Sequence, residues 1–283
     1  MENMLITGSG GFIGKNLKKH FEEKFNIFSP RSFEINFIDE NAVENYFKDN
    51  NFDYIIHCAS TGGARGIADR DTTVEDNIKM VENIFKFKND RTKVILFGSG
   101  AMYGKSRSLN KVNEDDIGKF IPEDLYGKSK MLISELVKGR KDAVCLNIFA
   151  CYGYDEKKSR FPTYAIIQNL NHLPIVINQN VVFDYLFIED LFKIIDYFLI
   201  HQPQKNIINV TPQKSVKLSQ IAEIVNEISD FKSEILFKTD VLGNEYTGDN
   251  SRLTAEFPDM KFTPLKEGLT RLFEYIKKNR QYE

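Results

Sequence analysis

Cysteine is scarce in this chain, with only Cys58, Cys145 and Cys151 among 283 residues. An odd count, with two of the three in strand-like apolar runs, reads as buried thiols of a reducing compartment. It leaves no disulfide framework and no zinc-ligand spacing, so no metal site is expected. An excess of either charge is also missing: 38 Lys and Arg face 40 Asp and Glu, a net charge of −2. Neither nucleic acid nor an anionic membrane is expected as a partner, and any anionic ligand must be held locally. No segment approaches about 18 uninterrupted apolar residues, and MENMLITGSGG runs into an apolar strand without a signal-peptide layout, which predicts a cytoplasmic protein. Repeats and low-complexity tracts are absent as well.

What is present is ordinary globular material, 42% hydrophobic and 28% charged, sufficient for a core. The 23 phenylalanines, at helical and strand spacing, are core residues by default. Short apolar runs at 4–7, 26–29, 54–59, 93–99 and 143–149 alternate with amphipathic stretches around 12–24, 40–49, 72–88 and 124–139. Parallel strands need crossover helices, so this rhythm predicts an α/β fold with a doubly wound parallel sheet. Beyond Gly153 the rhythm changes, with VVFDYLFI and INV as further strands and helices near 162–171, from Glu189, near 219–229 and from Leu265. The expected division is a first domain over 1–155, its sheet completed by 182–210. A small mixed α/β lobe, made of 156–181 and 211–283, then covers the carboxyl ends of the strands.

The first strand is followed by Thr7-Gly8-Ser9-Gly10-Gly11-Phe12-Ile13-Gly14 and a helical stretch. Gly8, Gly11 and Gly14 stand three apart, as a tight turn, a close backbone approach to pyrophosphate and helix–strand packing would require. A ligand-free glycine turn is the bland alternative, but the strand–helix context favours dinucleotide binding. At the end of the second strand, where an acid would select NAD, the chain reads Ser29-Pro30-Arg31-Ser32. A guanidinium there suits a ribose 2′-phosphate, so NADP(H) is favoured and NAD(H) is the alternative, with a solvated loop arginine as the competing reading.

Ser99 follows the strand VILFG, and Tyr126 and Lys130 share one face of a helix at i and i+4. An ammonium close to a phenol favours the phenolate, and a nearby serine can orient the same substrate oxygen. An exposed Tyr and Lys is the default for such a pair alone, and it is a poorer account beside the glycine turn and the serine strand.

These segments resemble the extended short-chain dehydrogenase/reductases, the NAD-dependent epimerase/dehydratase family with its Rossmann-type fold, over most of the chain. TGSGGFIG looks like the family's TGxxGFIG loop, FGSGAMYG like its SSxxVYG strand end, and YGKSK like its YxxxK pair. HCAS at 57–60 is similar to the stretch lining the nicotinamide-side ribose, and Asn77 fits the helix asparagine below the active site. The resemblance is strongest to the GDP-fucose synthase and 4-keto-sugar-nucleotide reductase branch. It implies Ser99, Tyr126 and Lys130 as catalytic residues. For the cofactor it implies Gly8, Gly10, Gly11, Phe12, Ile13, Gly14, Arg31, Asp39 (beside the adenine), Ala59, Ser60 and Asn77, along with Tyr126 and Lys130. A homodimer is a further implication.

Departures shape the reaction expected. Where related epimerising enzymes place a cysteine and a histidine, this chain has Ala101 and Ser159. Inversion beside a keto group needs a base on one face and an acid on the other, so reduction without C3/C5 epimerisation is expected. The family's RxxNxYGP reads Asn147 to Tyr154, without its arginine, asparagine and proline, and Phe183 replaces a diphosphate-binding arginine. Arg65, Arg160 and Arg252, with Ala101, are the substrate-side candidates that remain. Cys151 has no activating histidine nearby in sequence and reads as a packing thiol. The expected activity is NADPH-dependent reduction of a 4-keto sugar nucleotide for surface glycan synthesis. The alternatives are a nucleotide-sugar 4-epimerase or dehydratase holding NAD, and a non-catalytic NADP-binding regulatory module.

Overall fold

The computed structural model describes residues 1–64, 66–212 and 214–279. Three βα units open the chain: β1 (Asn3–Thr7) and α1 (Phe12–Phe21), β2 (Asn26–Phe28) and α2 (Glu40–Asp49), β3 (Tyr54–His57) and α3 (Thr73–Phe87). β4 (Lys93–Ser99) ends in a 3-10 turn, after which a short β5 (Leu109–Val112) precedes α4 (Leu125–Val137). Next come β6 (Ala143–Ile148), β7 (Ala150–Tyr152), α5 (Phe161–Leu170), β8 (Ile175–Ile177), β9 (Val182–Phe183), β10 (Tyr185–Phe187) and α6 (Ile188–Ile200). β11 (Ile207–Val210), β12 (Val216–Lys217), α7 (Leu218–Ile228), β13 (Ile235–Phe237), β14 (Tyr246–Gly248), α8 (Ser251–Glu256) and α9 (Leu265–Lys278) complete it.

Six strands form a parallel sheet in the order β11-β6-β4-β3-β1-β2. Its strands are apolar on both faces because both faces are covered. Met4, Ile6, Ile56 and Ile95 pack with Leu17 and Phe21 of α1 and Leu191 and Ile195 of α6. Their chain neighbours Leu5, Ile55, Val94 and Leu96 face α2, α3 and α4 through Val43, Phe47, Met80, Ile84 and Val137. The order reverses between β1 and β3, which places the turn after β1 in a crevice at the carboxyl edge of the sheet. The doubly wound α/β architecture expected from the sequence is therefore present.

Three small sheets form the lobe: β12-β9-β14-β5, β10-β7 and β13-β8. Two boundaries differ from expectation. Of 182–210, only β11 joins the main sheet; VVFDYLFI splits into β9 and β10, which belong to two different small sheets. The cause is Asp184, a fully buried carboxylate held by Lys111 Nζ (3.2 Å), Ser215 Oγ (2.5 Å) and the Gly248 amide (2.8 Å). Conversely, β5, from within the expected first domain, pairs with β14 in the lobe. α5, α7 and α9 contribute Ile166, Ile221 and Leu272 to the same cluster as β1 and α6, so one core runs through both parts. Among the described residues, no helix is long and apolar enough to cross a membrane, and no group of acidic, His or Cys side chains could hold a metal ion.

Candidate active site

The glycine turn closes with the Gly11 amide donating to the Gly8 carbonyl at 2.9 Å. Gly8 adopts φ +65°, in the left-handed region that a side chain disfavours. A Cβ on Gly14 would lie 2.5 Å from the Gly8 carbonyl oxygen, so α1 starts as close to β1 as a helix can. Gly11 caps α1 with no side-chain hydrogen bond and no acid follows in the first turn, leaving the helix amides and positive dipole end open to an anion. Phe12 and Ile13 open the helix half-buried against the core.

Arg31 reaches this turn from the loop after β2. A Cβ on Gly10 would lie 2.2 Å from Arg31 Nη1, so the guanidinium rests directly over Gly10. Glu34 holds the Arg31 backbone amide (2.6 Å), and Ser9 Oγ donates to the Ser29 carbonyl (3.2 Å), joining the two loops. Asp39 instead caps α2 by accepting from the Ala42 amide (3.1 Å). An open helix N-terminus, a backbone cradle without side chains and a guanidinium at its rim fit a dinucleotide pyrophosphate and adenosine ribose.

Across the crevice, the Thr7 hydroxyl pairs with His57 Nδ1 (2.8 Å) and accepts from the Ala59 amide (3.2 Å). Burial first, and Lys130 second, push the His57 pKa down to about 3, so its ring is neutral at working pH. Asn77, expected as a cofactor ligand, is buried and fully engaged. Its Oδ1 accepts from the Thr61 amide (2.8 Å), and its Nδ2 donates to the Thr61 carbonyl and to Ser129 Oγ (both 3.0 Å). Asn77 thus clamps the loop after β3, which carries Ala59 and Ser60, onto α4.

Ser99 lies at the carboxyl end of β4, where its Oγ accepts from the Ala101 amide (3.2 Å). Asp124 caps α4 through the Gly127 amide, and Asp69 accepts from the Tyr126 amide with one oxygen and the Gly63 amide with the other (each 2.8 Å). This brings the loop after β3 onto the Tyr126 ring: a Cβ on Gly63 would lie 2.8–2.9 Å from its carbons. One turn later Lys130 is buried, with Nζ 5.5 Å from the Tyr126 ring centre and donating to the Phe97 carbonyl at 2.9 Å.

Ser99, Ala101, Tyr126, Ser159 and Arg160 line one cleft of about 1250 Å³ between the sheet edge and the lobe. Arg160 pairs with Glu156 (3.4 Å), a nearly buried carboxyl in the same wall whose pKa burial raises to about 8 against the pull of Arg160. Cys151 also lines the cleft, and burial raises its thiol pKa well above the ordinary value, away from nucleophile chemistry. Arg252 is not where the sequence reading put it. It pairs with Glu114 (3.3 Å) and Asp115 (2.5 Å) and donates to the Ile207 carbonyl (3.4 Å), because α8 packs beside β11 and the buried Glu114 claims its charge. Arg65 lies outside the described residues.

Sequence reasoning missed Asp69, Glu156 and an aromatic wall of Phe149, Phe183, Tyr185 and Tyr246. Asp69 sits in a polar loop, and Tyr246 opens the short β14 within a run that reads as polar loop, so neither carries a local chemical signal. Glu156 was hidden in the charged run DEKKSR, which reads as solvated surface.

The fold and these placements define an NAD(P)-binding oxidoreductase of the short-chain dehydrogenase type. A model of the NAD dependent epimerase/dehydratase family matches residues 4–211, and the chain belongs to that family. GDP-L-colitose synthase of Yersinia pseudotuberculosis is 22% identical over 302 residues, covering 96% of this chain and 97% of that protein. Among solved structures, GDP-mannoheptose C4 reductase from Campylobacter jejuni with NADP bound superposes with a TM-score of 0.82 at 18% identity, over 98% of both chains. dTDP-glucose 4,6-dehydratase from Bacillus anthracis in complex with NAD gives 0.79 at 15% identity, over 100% of this chain and 98% of that one. The fold is thus shared by a reductase holding NADP and a dehydratase holding NAD.

Proposed function

We propose that this protein uses NADPH to reduce the keto group of a 4-keto deoxy sugar nucleotide, without C3/C5 epimerisation, supplying a sugar for surface glycans. The carrying observation is that Ser99, at the carboxyl end of β4, and Tyr126 open into one cleft, with Lys130 buried behind the tyrosine. Gly8, Gly10, Gly11 and Gly14, with the amino end of α1, would hold the cofactor's pyrophosphate. Arg31 over Gly10 favours a 2′-phosphorylated ribose. When bound, the reduced nicotinamide supplies a hydride to the keto carbon. Tyr126 gives a proton to the oxygen that becomes the alcohol, and Ser99 donates a hydrogen bond to the same oxygen. Such fixed donors matter most where charge develops in the transition state. Lys130 keeps a positive charge beneath the phenol while its Phe97 contact fixes its position. Arg160, at the amino end of α5, is one of the cleft's cations, with Lys105 and Lys238, and is the one assigned to a substrate phosphate.

The test is turnover of NADPH with 4-keto-6-deoxy sugars linked to dTDP, GDP, CDP and UDP, followed by loss of reduced-nicotinamide absorbance. One member of the panel is expected to be reduced, and Tyr126→Phe should slow that reaction by about 10²-fold or more while still binding NADPH. Full turnover by Tyr126→Phe would rule the mechanism out. Interconversion of two sugar nucleotides without net NADPH loss would mark a 4-epimerase, and NADPH binding with no turnover on any ketone a regulatory module.

A further inference from the structure

Two glycines flank Ser99, and each leaves room for a different side chain. A Cβ on Gly98 would lie 2.0 Å from Asn147 Oδ1; one on Gly100 would lie 2.7 Å from the Tyr246 hydroxyl and 2.6 Å from a Phe149 ring carbon. Tyr246 is fixed twice. Its backbone on β14 stands in register with Leu109 of β5 and Phe183 of β9, and its ring packs between Phe149 and Phe183, with centroids 5.3 and 5.5 Å away. The end of the phenol is therefore held against the backbone that carries Ser99. Burial raises the phenol's pKa and outweighs a side-chain hydrogen bond with Ser99 that lowers it, so the hydroxyl keeps its proton.

A serine hydroxyl has one proton to give and two lone pairs to receive with. At Ser99 the Ala101 amide occupies one lone pair. Between a phenol and an alkyl hydroxyl, the phenol is the more acidic and the better donor. We propose that Tyr246 is a positioning residue for Ser99: its phenol donates to Oγ, fills the second lone pair and leaves the serine proton facing the cleft, toward the substrate carbonyl oxygen. The inference rests on the reading of the site as a carbonyl reductase. It gives the lobe a part in the chemistry, because the residue that directs the serine of β4 arrives from a strand almost 150 positions later.

Tyr246→Phe tests this, since it keeps both ring contacts and removes only the hydroxyl. With NADPH and a keto sugar nucleotide that the unmodified protein reduces, kcat should fall about tenfold, with KM and NADPH affinity nearly unchanged. In a Ser99→Ala background the same substitution should cost nothing further, because the oxygen it acts through is gone. Equal losses in both backgrounds, or no loss with Ser99 present, would overturn the proposal. A crystal structure of the unliganded protein tests the geometry without any substrate: a Tyr246 hydroxyl beyond about 3.5 Å from Ser99 Oγ would also overturn it. The contact found in a protein that reduces no keto sugar would support the serine geometry and sink the reductase reading alone.

Discussion

Glu156 carries a proton at neutral pH because the cleft wall excludes water from it and its two partners, Arg160 and Thr163, stand at 3.4 Å, too far to stabilise the anion fully. The folded chain therefore binds a proton that the unfolded chain, with an ordinary carboxyl near 4.5, releases earlier. The sign follows: this contribution to stability is fully present below about pH 4.5 and is lost as pH rises through about 8. Glu156→Gln, which cannot titrate, should lose less stability between pH 5 and pH 9 than the unmodified protein. Chemical denaturation at both pH values reads the difference, and parallel losses would show that Glu156 ionises freely. Nothing in DEKKSR distinguishes Glu156 from its exposed neighbours. Only the fold, by turning this residue inward in the loop between β7 and α5, changes its chemistry.

At the scale of elements, the glycine turn separates two roles that sequence spacing runs together. Gly10 faces the end of a flexible side chain, whereas Gly14 faces backbone. Gly10→Ala should leave the fold intact and displace Arg31, weakening NADPH binding roughly tenfold with little change for NADH. Gly14→Ala should cost about 1–3 kcal/mol of stability, since α1 must move off β1. Thermal melts and cofactor titrations of the two variants give opposite patterns; equal loss of both cofactors in Gly10→Ala would remove Arg31 from the binding site. The strands and helices around this turn were legible because buried parallel strands and amphipathic helices differ in period. VVFDYLFI was not: its apolar content reads as one strand, and only the long-range partners of Asp184 break it in two. The serine and tyrosine could be found because they sit at ends of regular elements, and the lysine because it follows the tyrosine by one turn of the same helix. Arg252 was misplaced because a charge in a loop does not reveal which buried acid will claim it.

At the scale of the whole molecule, the two parts exchange strands. β11 comes from the second half and completes the main sheet beside β6, while β5 comes from the first half and pairs with β14 in the lobe. The apolar cluster is continuous across them. Unfolding should therefore appear as one calorimetric transition, shifted upward as a unit by NADPH; two transitions, with only one responding to cofactor, would show that the lobe folds independently.

That exchange also orders events during synthesis. When the ribosome has released the first 150 or so residues, β6 lacks its outer neighbour and β5 has no partner at all, since Ile207–Val210 and Tyr246–Gly248 are still to be made. The nascent chain holds a sheet with an open edge for the time needed to add roughly another sixty residues, on the order of several seconds. During that interval it depends on chaperones, or on its own short strands, to avoid pairing with a neighbour.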